Sequence, residues 1–87
     1  MPNITQQKKR IRIAARERLE NLRYRSTVKT LTRRLETAVA DGNDDEIAGR
    51  HRELVRWIDR ATAHGALHRN AAARKKAQAG RLVSGRR

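Results

Sequence analysis

Three histidines and a short run of carboxylates are the residues whose spacing could support metal binding or acid–base catalysis. His64 and His68 have the i, i+4 spacing of a helical metal site, but Gly65 lies between them and is expected to end the helix. His51 falls within an apolar stripe, where a packed histidine is commoner than a ligand. The acidic run 44–46 is better explained as the first turn of a helix, whose positive end favours carboxylates. These residues therefore predict neither a metal site nor a catalytic centre.

Nothing else in the sequence supports an enzymatic reaction. The chain contains no cysteine, which excludes disulfides, thiol chemistry and cysteine-based zinc sites. Ser26 and Ser84 lack neighbours that would activate a hydroxyl nucleophile. No glycine-rich loop of the kind that cradles phosphates is present. We therefore expect no enzymatic activity, no metal, no cofactor and no small-molecule substrate.

The most frequent functional groups in the chain are cationic. Lysine and arginine number 22 against nine aspartates and glutamates, for a formal net charge of +13. Most of the cations are arginines, whose planar guanidinium binds phosphate through two parallel hydrogen bonds, whereas a lysine acts as a point charge. Because this much like charge repels itself in a compact chain, we expect a polyanionic partner. The arginine excess favours nucleic acid.

The charge is concentrated in two segments. Residues 1–40 carry 11 cations and three anions, and residues 65–87 carry seven cations and no anion. Between them, residues 41–64 carry four cations and six anions. Two basic segments therefore flank a mildly acidic one, an arrangement that an unspecialised solvated surface would not need.

Helix-terminating and helix-initiating residues divide the chain at the same places. Gly42 can adopt the left-handed conformation that ends a helix, and Asn43 can cap the next one with Glu46 three residues on. Gly65 predicts a second stop, and Asn70 is expected to cap a third helix. No strand pattern competes. The chain is predicted to be one domain, residues 1–87, with helices at about 6–40, 44–64 and 70–83.

Apolar side chains recur at helical spacing on the first two helices, which the short connection makes antiparallel neighbours. Steps of four and three residues define one stripe on each helix. The stripe on the first helix is Tyr24, Val28, Leu31, Leu35 and Ala38. The stripe on the second helix is Ile47, His51, Leu54, Ile58 and Ala61.

The beginning of the first helix does not share this stripe. Its apolar residues lie on roughly the opposite side of the helix, at Ile11, Ala15, Leu19 and Leu22. The predicted lengths are about 52 Å for the first helix and about 32 Å for the second. The antiparallel second helix therefore ends about 20 Å before it reaches the N-terminal end of the first. The sequence therefore predicts an all-α fold, a three-helix bundle with a long N-terminal helix projecting beyond the core.

A helix that projects from the bundle does not need an apolar side for packing against other helices, so charged residues can occupy all its sides. Phosphates from different strands of a folded RNA could surround such a helix. The two aromatic residues, Tyr24 and Trp57, lie on or beside the core stripes, which argues against reading bases by stacking. We expect instead contacts to phosphates and ribose hydroxyls of structured RNA. We also expect the residues before about Leu22 to be disordered in the free protein and to fold on RNA.

Two groups of motifs then resemble a known family. The first is Asn3-Ile4, Lys8-Lys9-Arg10, Arg18-x-x-Asn21, Arg25-Ser26, Lys29-Thr30 and Arg33-Arg34. The second is Ile58-Asp59-Arg60-Ala61, Gly65-x-Leu67-His68-Arg69-Asn70 and Ala72-Ala73-Arg74-x-Lys76. In this order and spacing the chain resembles the bacterial small-subunit ribosomal protein number twenty family. After Lys76 it departs from the family, because Ala77-Gln78-Ala79-Gly80 follows.

The resemblance implies a three-helix bundle that binds small-subunit ribosomal RNA directly and ties RNA helices together during assembly. The RNA-facing positions that it implies are Lys8, Lys9, Arg10, Arg18, Asn21, Arg25, Ser26, Lys29, Thr30, His68, Asn70, Arg74 and Lys76. Neighbouring cations of the same basic segments complete the expected interface: Arg12, Arg16, Arg23, Arg33, Arg34, Arg69 and Lys75. Other small-subunit proteins would be partners only indirectly, and the protein is expected in the cytoplasm, in the ribosome.

Two alternatives to this function stay open. One is a nucleoid-type basic protein that binds DNA with no preference for RNA. The other is a basic amphipathic helix that docks on a membrane or a regulatory protein, although the cations near the N-terminus leave no clean apolar face. No apolar run approaches the roughly 20 residues of a membrane span.

Overall fold

The computed structural model describes residues 4–85 of the 87-residue chain, and the side chains from residue 6 to residue 85. Three helices make up almost all of this part: α1 (Ile4–Asp41), α2 (Asp44–His64) and α3 (Arg69–Ser84). No strand occurs among the described residues. The prediction of an all-α three-helix fold is confirmed. The bounds of α2 equal the predicted ones, and α1 and α3 extend one or two residues further at each end, the usual uncertainty of helix termini.

The turn between α1 and α2 uses the two residues that the sequence singled out. Gly42 has a φ of 76°, and its N–H donates to the Ala38 carbonyl at 3.0 Å. Asn43 follows in an extended conformation, and its side-chain oxygen accepts from the Glu46 N–H at 3.1 Å. A connection this short makes α1 and α2 antiparallel neighbours.

The turn between α2 and α3 corrects one prediction. Gly65 ends α2 as expected, with a φ of 88°. The cap of α3, however, is His68 and not Asn70. The His68 Nδ1 accepts from the Asn70 N–H at 3.1 Å. Because the helix begins at Arg69, Asn70 lies inside the first turn, where its N–H needs a partner.

The core lies where the two long stripes meet. The buried apolar side chains are Val28, Leu31, Leu35 and Ala38 of α1, Ile47, Leu54, Ile58 and Ala61 of α2, and Ala72 and Ala79 of α3. Tyr24 and Trp57 pack against them while remaining partly exposed. Burying one large aliphatic side chain stabilises the fold by about 1.5–3 kcal/mol. Since α3 contributes mainly alanines, α1 and α2 supply most of this energy.

The N-terminal part of α1 extends past the other helices. Every residue from 6 to 19 is exposed, and we call this segment the arm. Its apolar side chains are not covered, with Ile11 68% and Leu19 51% exposed. α1 is about 57 Å long against about 32 Å for α2, and the described part of the molecule measures 65 × 20 × 13 Å. The predicted projection of the first helix is confirmed.

In the structure α1 is helical from Ile4, and the expected disorder of the residues before Leu22 in the free protein stays a prediction. The arm continues a helix already anchored in the bundle. Adding residues to an existing helix avoids the costly nucleation step, and the arm contains neither glycine nor proline.

Candidate nucleic-acid interface

The cations of the arm surround the helix axis. All six are exposed: Lys8, Lys9, Arg10, Arg12, Arg16 and Arg18. At about 100° per residue, their Cβ directions are distributed around the whole helix circumference. Within the part of the chain that the structure describes, none of the ion pairs involves an arm cation. The arm therefore presents positive charge in every direction perpendicular to its axis.

A second basic surface lies on the bundle, between α1 and α3. Arg25, Lys29 and Arg33 follow one another at steps of four on α1, about 6 Å apart along the axis, and Lys75 of α3 joins them in one groove of about 480 Å³. The groove also contains apolar, polar and acidic side chains, namely Val28, Leu67, Ala79, Thr32, Gln78 and Glu36. Four cations around one carboxylate make the groove suited to a phosphodiester strand.

The remaining predicted positions are divided by exposure. Those on the outer surfaces of α1 and α3 are exposed: Arg23, Ser26, Thr30, Arg34, His68, Arg69, Asn70 and Arg74. Asn21 and Lys76 are only partly exposed, because each contacts another helix. No single cluster collects all the predicted residues. The structure has an arm, a groove, and the exposed start of α3.

Several predicted positions already have partners within the protein. Lys76 forms an ion pair with Asp59, which links α3 to α2. His68 caps α3. The Thr30 hydroxyl donates to the Ser26 carbonyl at 3.0 Å. In this rotamer Thr30 can offer RNA only its lone pairs, as an acceptor from a ribose hydroxyl, for example.

Asn21 is held by a histidine that the sequence did not single out for this purpose. The side-chain Oδ1 of Asn21 lies 3.1 Å from the Nδ1 of His64. The other ring nitrogen of His64, Nε2, lies 3.0 Å from the Oε2 of Glu20. These contacts join the base of the arm to the end of α2. A 43-residue separation in sequence left no local signal by which to find them.

Three charged side chains of α2 contact one another. Arg50 lies 3.9 Å from Glu46 and 3.5 Å from Glu53. The Arg60 guanidinium is 5.2 Å from the centre of the Trp57 ring, a cation–π arrangement. The Trp57 ring also packs 5.9 Å from that of Tyr24. Both aromatic side chains thus take part in packing, as the sequence analysis expected.

Among residues 4–85 the structure has no group of three or more side chains that could hold a metal ion. None of the described helices combines the length and the apolar character required to traverse a lipid bilayer.

Comparison with known proteins matches residues 2–84 to the family described as ribosomal protein S20. The chain is similar to the small ribosomal subunit protein bS20 of Kocuria rhizophila, with 43% identity over 97% of this chain and 98% of that protein. It is also 43% identical to bS20 of Acaryochloris marina, over 95% of this chain and 96% of that one. It is 37% identical to bS20 of Pelotomaculum thermopropionicum, over 90% of this chain and 89% of that protein.

These matches confirm the resemblance noted in the motifs. They also confirm the expectation of a ribosomal structural protein of the bacterial cytoplasm, which is not an enzyme. The match covers nearly the whole chain, including both basic surfaces and all three helices. The chain belongs to the ribosomal protein S20 family.

Proposed function

We propose that this protein binds small-subunit ribosomal RNA directly and bridges RNA helices during assembly of the subunit. The observation that carries the proposal is the arm, whose exposed cations surround a helix that extends past the other two helices. A flat nucleic-acid surface would contact one side of such a helix. RNA segments folded around it would contact all sides and would use all of its cations.

The second basic surface provides the other half of the bridge. The α1–α3 groove, lined by Arg25, Lys29, Arg33 and Lys75, lies on the bundle and not on the arm. Because the described part of the molecule is 65 Å long, the arm and the groove can contact different RNA segments at the same time. Both surfaces belong in part to one continuous helix, so the two segments would be held at a defined separation.

Most of the binding free energy should come from release of counterions from the phosphates. If about 6–10 phosphates are contacted, the affinity should fall by roughly 10³–10⁵ between about 50 and 200 mM salt, by analogy with DNA. Binding that does not change with salt would contradict this mechanism.

The side chains around the cations favour RNA over duplex DNA. Thr30 offers a hydroxyl oxygen, and Asn21 and Asn70 offer amides, beside the cations of α1 and α3. Groups of this kind can bond the 2′-hydroxyls that RNA displays in its wide minor groove and DNA lacks. We therefore expect folded ribosomal RNA to compete better than duplex DNA of equal length.

The decisive experiment is chemical footprinting of small-subunit ribosomal RNA with this protein added alone, in parallel with competition by duplex DNA. We expect protection of at least two RNA segments that are separate in the RNA secondary structure. Protection of one segment only would contradict bridging. Equal competition by duplex DNA would indicate a nucleoid-type DNA-binding protein instead.

A further inference from the structure

The side chain of His64, the last residue of α2, lies at the base of the arm. Its two ring nitrogens face two oxygens of α1, the Oε2 of Glu20 at 3.0 Å and the Oδ1 of Asn21 at 3.1 Å. Its ring packs on that of Tyr24, with a centroid distance of 4.7 Å. We call His64, Glu20 and Asn21 the histidine clamp.

The chemistry of the clamp depends on the proton count of the imidazole. A neutral imidazole has one N–H, so it can donate to only one of two oxygens, whereas an imidazolium donates to both. If His64 is neutral and donates to Glu20, its bare Nδ1 needs a donor, and the Asn21 amide must turn over to supply one.

We propose that His64 is a positioning residue of the RNA interface, which sets the Asn21 carboxamide so that its NH₂ group faces the RNA. With His64 protonated, the Asn21 oxygen is occupied and the amide hydrogens are free to donate to phosphate, ribose or base oxygens. With His64 neutral, the turned amide offers an oxygen, which repels phosphate. The inference rests on the proposed function.

The charged groups around the clamp come from α1 and α2. Arg16 and Glu17 line the same cleft as Glu20, Asn21 and His64, a space of about 460 Å³. Arg23 lines a second cleft with Tyr24 and His64, and Arg60 of α2 lines a third cleft with the same two residues. Histidine is the side chain whose charge ordinarily changes between about pH 5 and pH 8. A change in RNA affinity within that range is assigned to one histidine by substituting that histidine.

A double-mutant cycle tests whether His64 acts through Asn21. Affinity for small-subunit ribosomal RNA is measured for the wild type, Asn21→Ala, His64→Ala and the double variant. We expect each single change to weaken binding by about tenfold, the loss of one hydrogen bond to a charged group. In the Asn21→Ala background, His64→Ala should change affinity by less than about twofold. Losses that multiply to about a hundredfold would overturn the proposal, as would a His64→Ala variant that binds like the wild type.

The pH profile provides a readout that a purely structural histidine would not change. Between about pH 5.5 and pH 8, wild-type affinity should fall more than that of either His64→Gln or Asn21→Ala. His51→Gln is the matched control, because it removes another histidine of α2 that lies outside the clamp, and it should keep the wild-type profile. A profile that persists in His64→Gln contradicts the positioning role.

Nitrogen NMR of the free protein tests the clamp without RNA. As His64 loses its proton, the side-chain amide signals of Asn21 should shift with the same midpoint. Asn21 signals that do not respond would overturn the clamp itself. A coupled titration in a protein that fails to bind ribosomal RNA would instead refute the proposed function, and with it the role of the clamp in RNA binding.

Discussion

The two halves of α1 show how one continuous helix can be stabilised in two different ways. In the bundle half, Val28, Leu31 and Leu35 are almost completely buried against α2. In the arm, Ile11 and Leu19 are more than half exposed, and the neighbouring positions are cationic. Both halves contain good helix formers without glycine or proline. Burial stabilises the bundle half, whereas the arm depends on continuity with it and, in our proposal, on RNA.

The largest difference between the halves should appear in amide hydrogen exchange. Arm amides have no tertiary packing, so they should exchange with an opening free energy near zero, while amides of residues 28–38 should be protected up to the global stability. In the complex with ribosomal RNA, the arm amides should become protected. If the arm amides of the free protein are protected as strongly as the bundle amides, the two halves of α1 do not differ in packing.

A matched pair of leucine substitutions separates the halves by their effect on stability. Leu35→Ala should lower the free energy of unfolding by about 2–5 kcal/mol, because it leaves a cavity between α1 and α2. Leu19→Ala makes the same chemical change in the arm and should alter stability by no more than about 0.5 kcal/mol. Denaturant unfolding of both variants measures the difference, and equal losses would show that the arm is packed.

Charge substitutions should produce the opposite ranking in RNA binding. Lys9 and Arg10 of the arm, changed together to glutamine, should reduce the slope of log affinity against log salt by about two. Arg52→Gln with Arg56→Gln removes the same charge from the exposed surface of α2 and should leave the slope unchanged. If both double variants have the same slope, net charge and not the arm determines binding.

A smaller effect should distinguish the groove from the arm. Lys29 and Lys75 line one groove, so if they contact the same phosphate, their glutamine substitutions should show a coupling of about 0.5 kcal/mol or more in RNA affinity. Lys29 and Lys9 lie on different surfaces, and their substitutions should add. Additive losses for Lys29 and Lys75 would argue against a single strand in the groove.

Local chemistry explains why much of the fold was predictable. Gly42 and Gly65 have the left-handed φ that ends a helix, and Asn43 caps α2 as its position suggests. The prediction of the α3 cap was wrong because two neighbouring residues can serve as the cap. His68 and Asn70 can each accept a backbone N–H, and only the actual path of the turn selects His68 as the cap of α3.

The sequence suggested candidate residues for the interface but not how they are arranged. Charge and motif identified Arg25, Lys29 and Lys75, but nothing in the sequence indicated that Lys75 faces the same groove as the two α1 cations. The pairing of Lys76 with Asp59 was equally invisible. Such contacts depend on how α3 packs on α1 and α2. Because α3 packs mostly through small alanines, its sequence gives little indication of how the helix is rotated about its own axis.

The amino-acid sequence was enough to place the helices, their ends, the apolar stripes and the separation of charge, because each of these depends on residues within one or two helical turns of one another. Tertiary structure alone decided which side chains meet across helices: His64 with Glu20 and Asn21, Lys76 with Asp59, and Lys75 with the α1 cations. The physical reason is that these contacts follow from the rotation and offset of packed helices, which are set by the summed packing of the whole core and by no single local pattern.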